Sequence, residues 1–254
     1  MTPDRITTSL FMILRMLLRR RIVLILLAVI PVVFFSVVAF TTPDRKVPFR
    51  LSSLDGNIFI AASEKQIALV FFAVAVAGFL MSFLAMNLIQ KNSKINRRLI
   101  LCGYHPLELL LSNLLALTLI IVLISVYVGL ITSAFFHVSH PGLMIFSLAL
   151  TGFVYGGYGL VVGSLVEGEL EAILLIVLLA NIDAGWLQNP IFYAEAQNQV
   201  IIHWLPAYFP SQSAIFAAFT DYSILRASLA SLLYGSGFLA FSMLIFYLKM
   251  RIRK

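Results

Sequence analysis

The chain alternates between long stretches of hydrophobic residues and short polar segments that are rich in basic residues. A helix needs about 20 residues to cross a hydrocarbon core of roughly 30 Å. Six stretches approach or exceed this length, namely residues 22–41, 67–88, 107–135, 143–165, 170–187 and 224–248. Backbone polar groups within lipid must be satisfied internally, and the alternation typical of barrel strands is absent. We therefore predict six transmembrane helices.

The composition supports a membrane protein. Hydrophobic residues make up 61% of the 254 residues and charged residues only 11%, against about 45–50% and about 25% in soluble domains. A globule of this size has too little interior to hide so much apolar surface. The first apolar run also exceeds the roughly 7–15 residues of a signal-peptide core, and no small-residue cleavage site follows it, so we expect a retained first span. The predicted fold class is an all-α membrane protein.

Basic residues predict the orientation. Of the 18 lysines and arginines, 13 fall on the side that would hold both termini: Arg5, Arg15, Arg19, Arg20, Arg21, Lys91, Lys94, Arg97, Arg98, Lys249, Arg251, Arg253 and Lys254. Cytoplasmic loops of membrane proteins carry such an excess. We therefore expect a multi-pass protein of the cytoplasmic (inner) membrane with both termini in the cytoplasm. The net charge of +7 is explained by orientation, and no nucleic-acid partner is expected.

Residues 1–21 have the pattern of an amphipathic helix. One polar stripe consists of Arg5, Thr8, Met12, Arg15 and Arg19, and apolar residues occupy the opposite face. Such a helix can lie in the membrane interface, where each basic residue contributes about 1 kcal/mol against an anionic leaflet. We predict an interfacial helix, with an anchor continuous with the first span as the alternative.

Residues 90–106 begin with a basic, hydrophilic stretch. Gly103 can end a helix in a left-handed conformation, and Pro106 can start the next one. These features are compatible with a short helix lying under the bundle, followed by a turn. An ordinary positive loop that only sets the topology is the alternative.

Residues 188–222 form an external segment that is too apolar for a solvated loop. Aromatic residues favour the headgroup level, and Pro190, Pro206 and Pro210 divide the segment into pieces that are too short to span a bilayer. We predict a re-entrant or interfacial segment before the last span. A plain aromatic-belt loop is the alternative.

Few polar residues lie at membrane depth. Asn181 and Asp183 are expected near the outer end of the fifth span, within reach of the interface, and Asn113 and Glu108 belong to the third span and its entrance. A carrier coupled to protons or sodium places a carboxylate or a broken helix at the midplane. The sequence therefore argues against ion coupling.

The fourth span contains two G-x-x-x-G pairs, Gly152 with Gly156 and Gly159 with Gly163. Such pairs allow helices to approach closely, and we expect packing within the bundle rather than a dimer seam. The single cysteine, Cys102, excludes an internal disulfide and is expected to be a small packing residue.

Motifs of common enzymes are absent from the sequence. There is no G-x-x-x-x-G-K-[ST] phosphate loop, no H-E-x-x-H and no G-x-S-x-G. We therefore do not predict an enzyme, and we assign no catalytic, cofactor-binding or metal-ligating residue to the chain.

Three stretches together resemble the ABC-2-type permease family, the membrane subunits of bacterial ABC exporters. They read RITTSLFMILRMLLRRR, KINRRLILCGYHPLELLLSNLLAL and NPIFY…IIHWLPAYFPSQSAIFAAF. The resemblance covers nearly the whole chain and implies one transmembrane domain over residues 1–254. Within it lie an amphipathic helix (1–21), a cytoplasmic coupling helix (90–106) and an external re-entrant segment (188–222).

The resemblance also implies a mechanism. Two permease chains, identical or paralogous, would pair with two copies of a separate ATPase, which binds ATP and Mg and drives export of an apolar or amphipathic substrate. It implies the following roles: ATPase coupling for Asn96, Arg97, Arg98, Gly103 and His105; the interfacial helix for Arg15 and Arg19; an outer gate for Trp204, Pro206, Tyr208 and Phe209. The competing classes are an ion-coupled secondary carrier and a non-transporting membrane scaffold.

Overall fold

The computed structural model describes residues 3–51, 59–189 and 198–252. Within these residues six helices are long and apolar enough to cross a membrane: Arg21–Thr41, Glu64–Lys91, Glu108–Phe135, Pro141–Leu165, Glu169–Leu187 and Leu225–Lys249. The prediction of a six-span helical fold is confirmed.

The helices follow one another along the chain as α1 (Pro3–Leu18), α2 (Arg21–Thr41), α3 (Glu64–Leu101), α4 (Pro106–Phe135), α5 (Pro141–Leu165), α6 (Glu169–Ile182), α7 (Gln199–His203), α8 (Tyr208–Phe219) and α9 (Leu225–Ile252). A π-helical turn, Asp183–Leu187, continues α6. Two antiparallel strands, β1 (Lys46–Arg50) and β2 (Phe59–Ser63), lie between α2 and α3. We call the end of the bundle with these strands the hairpin end and the opposite end the basic end.

Helices α3 and α5 form the centre of the bundle, and glycines allow their close contact. A Cβ atom added to Gly159 would lie 2.1 Å from the carbonyl oxygen of Ser82, and one added to Gly163 would lie 2.9 Å from the carbonyl oxygen of Met86. Gly152 similarly faces Met81. The prediction that these glycines pack within the bundle is confirmed.

Helix α3 continues through most of the segment that was expected to form a separate helix. It runs unbroken to Leu101, and its first turn is fixed by a capping box between Ser63 and Gln66. Gly103 then adopts a positive φ of 88°, and Pro106 begins α4. Gly103 and Pro106 thus behave as predicted. The short helix lying under the bundle is replaced by an extension of α3, since no residue between Gln90 and Leu101 breaks a helix.

The β-hairpin was not predicted. Val47 and Phe49 of β1, and Leu51 directly after it, alternate with polar residues or proline. Phe49 and Leu51 are buried. The ring of Phe49 contacts the ring of Phe219 edge-on at the end of α8. An ion pair between Arg45 and Glu64, 2.5 Å apart, ties the hairpin to the start of α3.

Helix α1 packs against the part of α4 nearest the basic end. The hydroxyl of Ser112 donates a hydrogen bond to the carbonyl oxygen of Ile6, and Ile13 is buried. Arg15 and Arg19 are exposed on the opposite face. The apolar face of α1 is therefore the face covered by protein, and the basic face is exposed.

Candidate functional site

A buried carboxylate lies where α6 gives way to the π-helical turn. Asp183 has no exposed surface, and three groups of the chain donate hydrogen bonds to its side chain. The Tyr155 hydroxyl and the Ala207 backbone N–H donate to Oδ2 at 2.5 and 2.8 Å. The Gln188 amide donates to Oδ1 at 3.0 Å. We call these four residues the Asp183 network.

The Asp183 network lies deep in the bundle, which corrects the expectation that Asp183 sits near the outer interface. Its partner Tyr155 is about 21 Å along α5 from Pro141 and about 15 Å from Leu165, at 1.5 Å per residue. Asn181 is exposed and donates its amide hydrogen bond to Val177 of its own helix. Residues two positions apart on a helix face opposite sides, so Asp183 points inward while Asn181 is exposed.

The network positions residues 204–209, which were expected to form an outer gate. Pro206 and Tyr208 are buried on either side of the bonded Ala207. Phe209 packs against the ring of Tyr234 of α9, with ring centroids 5.9 Å apart. The carbonyl oxygen of Trp204 accepts a hydrogen bond of 2.8 Å from the Tyr234 hydroxyl. The Trp204 side chain itself is 74% exposed.

Helix α8 then runs beside α5 towards the hairpin end. The hydroxyls of Ser147 and Ser213 lie 2.7 Å apart in the buried contact between the two helices. Further along, the backbone N–H of His140 donates to the carbonyl oxygen of Ala217 at 3.0 Å. Residues 207–219 therefore extend from the depth of Tyr155 to the start of α5. Residues 190–197, part of the predicted re-entrant segment, lie outside the described residues.

A histidine precedes the buried turn. The ring of His203 lies against the ring of Tyr208, with centroids 4.4 Å apart. Across the described parts of the chain, no three His, Cys, Asp or Glu side chains are grouped so as to hold a metal ion.

The predicted coupling residues meet at the junction of α3 and α4. Arg98, Gly103 and His105 are exposed there, whereas the side chains of Asn96 and Arg97 are outside the described set. Cys102 is also exposed, so the expectation that it packs inside the protein was wrong. The described coupling residues thus lie together at the basic end of the bundle. The Asp183 network lies elsewhere, beside the middle of α5.

The end of the apolar part of α3 contacts the segment that joins α5 to α6. Lys91 forms an ion pair of 3.1 Å with Glu169. One residue earlier, the Gln90 amide donates to the carbonyl oxygen of Val166 at 2.9 Å. The acidic turn between the fourth and fifth spans therefore contacts α3 where α3 leaves the bundle.

A comparison with protein families matches this architecture. The model described as "ABC-2 family transporter protein" matches residues 61–248, which is most of the chain. The chain belongs to the ABC-2 transporter family. It is a multi-pass membrane subunit of that family, and membership implies association with an ABC ATPase. A comparison with curated proteins found no match to the chain.

Sequence analysis did not identify the partners of Asp183 in this ABC-2 permease. Tyr155 and Ala207 are 28 and 24 residues away along the chain, and hydrogen bonds between such distant positions follow from tertiary packing. One signal was available. An aspartate in an apolar stretch of membrane length is costly unless it is paired, so it points to partners inside the bundle.

Proposed function

We propose that this ABC-2 permease is the membrane-spanning subunit of an ATP-driven exporter in the cytoplasmic membrane. A separate ATPase energises it, and an apolar or amphipathic substrate, such as a drug, a peptide antibiotic or a lipid-like molecule, crosses between two permease chains. Both termini face the cytoplasm. Family membership supports the transport role, and the structural features below support the finer assignment.

The observation that carries the proposal is the projection at the junction of α3 and α4. Helix α3 has 38 residues, and its apolar run ends at Ile89, 12 residues before the helix ends at Leu101. These 12 residues extend about 18 Å along the helix axis. Its tip exposes Arg98 and Leu101, and the Leu101 side chain is 84% exposed. A basic helical projection with an exposed leucine at its tip suits insertion into a cleft of an ATPase.

The connection to α6 gives the projection a way to act on the rest of the permease. Lys91 forms an ion pair with Glu169 at the start of α6, and Asp183, directly after the end of α6, binds the turn before α8. In the proposal, ATPase closure displaces the projection and α6 transmits the displacement to residues 204–209, which form the outer gate.

The depth of Ala207 supports a re-entrant arrangement. In the proposal, residues 199–207 enter the bilayer from the outer face, turn at the level of Tyr155 and return as α8. Backbone irregularity at such depth is tolerated where protein groups satisfy it. The hydrogen bonds from Ala207 to Asp183 and from Tyr234 to Trp204 have this effect.

The outward faces of the bundle support pairing with a second permease chain. In the most apolar 18-residue stretch of α2 only 17% of the residues are buried, and in the corresponding stretch of α9 only 28% are buried. Lipid covers most such surface, and in the proposal an identical or paralogous chain covers the rest. The substrate path then lies between the two chains.

The test is co-purification of the permease with an ABC ATPase that is encoded by a neighbouring gene. Arg97→Glu and Arg98→Glu each reverse a charge on the projection, whereas Lys46→Glu reverses an exposed charge at the hairpin end. We expect the first two variants to lose ATPase binding and substrate transport, and the third to retain both. Unchanged binding and transport in both arginine variants would remove the projection from the coupling role.

A second candidate, an ion-coupled carrier, is favoured by one observation, the buried Asp183 carboxylate. Three donors of the chain bind this carboxylate, which supports a role in holding the fold. Transport in proteoliposomes separates the two functions. Transport driven by ATP with the ATPase present supports an exporter, and transport driven by a proton gradient without ATPase supports the carrier.

A further inference from the structure

A groove runs between α1, α3 and α4 at the basic end of the bundle. Its floor is apolar and includes Ile13, Leu84 and Leu88. Arg20, Asn87 and Lys91 are its polar members. We call it the α1 groove. It is an open groove of about 40 Å³, so a ligand would lie along it rather than be enclosed.

Two independent spans place the mouth of the α1 groove at a membrane boundary. Arg20 directly precedes the apolar run of α2, and Lys91 lies just after the apolar run of α3, which ends at Ile89. The phosphates of a phospholipid lie at this level of a bilayer, and its acyl chains lie towards the spans. The groove has the same order, with cations at its mouth and hydrocarbon on its floor.

The charge of the mouth selects for an anion. The Arg20 side chain is half-buried, and its planar guanidinium can bind two phosphate oxygens at once. Lys91 is partly engaged, since Glu169 lies 3.1 Å from its ammonium group. Arg19 and Arg21 flank Arg20 in the chain and are exposed. The local balance is therefore positive even with Glu169 included.

We infer that the α1 groove binds one phospholipid with an anionic headgroup. Its phosphate lies between Arg20 and Lys91, and one acyl chain covers the apolar floor. Basic pockets between helices on the cytoplasmic side are a general way of binding such headgroups. The bound lipid would connect α1 to α3 beside the projection. This inference does not depend on the direction of transport or on the substrate.

The test is a lipid titration followed by native mass spectrometry of the purified chain. The probes are dioleoylphosphatidylglycerol, dioleoylphosphatidylcholine and inorganic phosphate. We expect one tightly retained phosphatidylglycerol, with phosphatidylcholine bound about tenfold more weakly, because the two share the phosphate but the cationic choline group of phosphatidylcholine is repelled by the basic mouth of the groove. Equal retention of the two lipids would overturn the inference. Competition by inorganic phosphate as effective as by the lipid would assign the site to a free anion instead.

Four variants sharpen the test. We expect Arg20→Gln to weaken phosphatidylglycerol binding about tenfold and Lys91→Gln to weaken it less. Glu169→Gln should strengthen binding, because it releases Lys91. The control is Arg21→Gln, which removes an exposed charge next to the groove and should change binding less than about twofold. A loss in this control equal to that in Arg20→Gln would indicate a general surface charge effect and contradict a defined site.

A conservative variant guards against loss of the fold. Arg20→Lys keeps the charge and removes the planar fork. We expect helical content to be unchanged and binding to fall between the wild type and Arg20→Gln. Wild-type affinity in both Arg20 variants would overturn the inference.

Discussion

The hydroxyl of Tyr155 donates a hydrogen bond of 2.5 Å to Oδ2 of Asp183, and neither residue has exposed surface. The bond joins the middle of α5 to the end of α6. The same carboxylate oxygen accepts the N–H of Ala207, so the turn before α8 is held at this depth. A buried carboxylate is costly unless donors satisfy it, and here three donors do so.

The first prediction concerns the cost of breaking this bond. Tyr155→Phe leaves the ring in place and removes one donor to the carboxylate, so we expect about 1.5–3 kcal/mol of destabilisation. The matched control is Tyr158→Phe, whose hydroxyl donates to the carbonyl oxygen of Leu175 at 3.2 Å from a partly exposed position. It should cost about 1 kcal/mol or less. Thermal unfolding in detergent micelles measures both.

A double-mutant cycle tests whether Tyr155 and Asp183 act as a pair. Asp183→Asn replaces the carboxylate with an amide, which then faces the same three hydrogen-bond donors. If the two residues depend on each other, the double variant should lose less stability than the two single losses combined, by about 0.5–3 kcal/mol. Strict additivity would show that the hydroxyl and the carboxylate contribute independently.

The second prediction concerns the close contact of α3 with α5. Gly159→Ala places a Cβ 2.1 Å from a backbone oxygen of α3, so the helices must separate. We expect a loss of about 1–3 kcal/mol, typical of overpacking. Gly237→Ala in α9 is the control, since its Cβ would meet no atom within 4 Å. Equal unfolding temperatures for the two variants would contradict the contact.

The spans could be predicted because each depends on a property of one continuous segment, its length in apolar residues. The conformation of Gly103 could be predicted for the same reason, as it follows from local backbone freedom. The unbroken helix α3 could also have been predicted, because Gly103 is the first strong helix breaker after Gln90. Charge along residues 90–98 suggested a separate helix, but polar residues do not interrupt helical hydrogen bonds.

The position of Asp183 could not be predicted from local features. Helical periodicity puts a residue two positions after Asn181 on the opposite, inward side, but it gives neither the depth of Asp183 in the bundle nor its donors. Its donors come from α5 and from the turn before α8. The alternating pattern of the β-hairpin covers only five residues a strand, and its burial depends on Phe219, more than 150 residues away.

The third prediction uses Cys102, the single cysteine of the sequence, to determine the orientation. It is exposed at the tip of the projection, so a maleimide reagent that cannot cross membranes should react with it. We expect labelling in inside-out vesicles and none in intact cells. In a Cys102→Ser background, Lys46→Cys at the hairpin end should show the opposite pattern. Labelling of Cys102 from outside intact cells would reverse the proposed topology.

The fourth prediction joins the projection to its proposed partner. If an ABC ATPase covers the junction of α3 and α4, it should slow the reaction of Cys102 with maleimide in inside-out vesicles, because Cys102 lies four residues after Arg98. Arg98→Glu should abolish this protection without changing labelling in the absence of the ATPase. Arg21→Gln, which changes a charge outside the projection, should leave the protection intact. An ATPase that binds the permease and leaves the labelling rate of Cys102 unchanged must contact another surface, and the projection would then lose its proposed role.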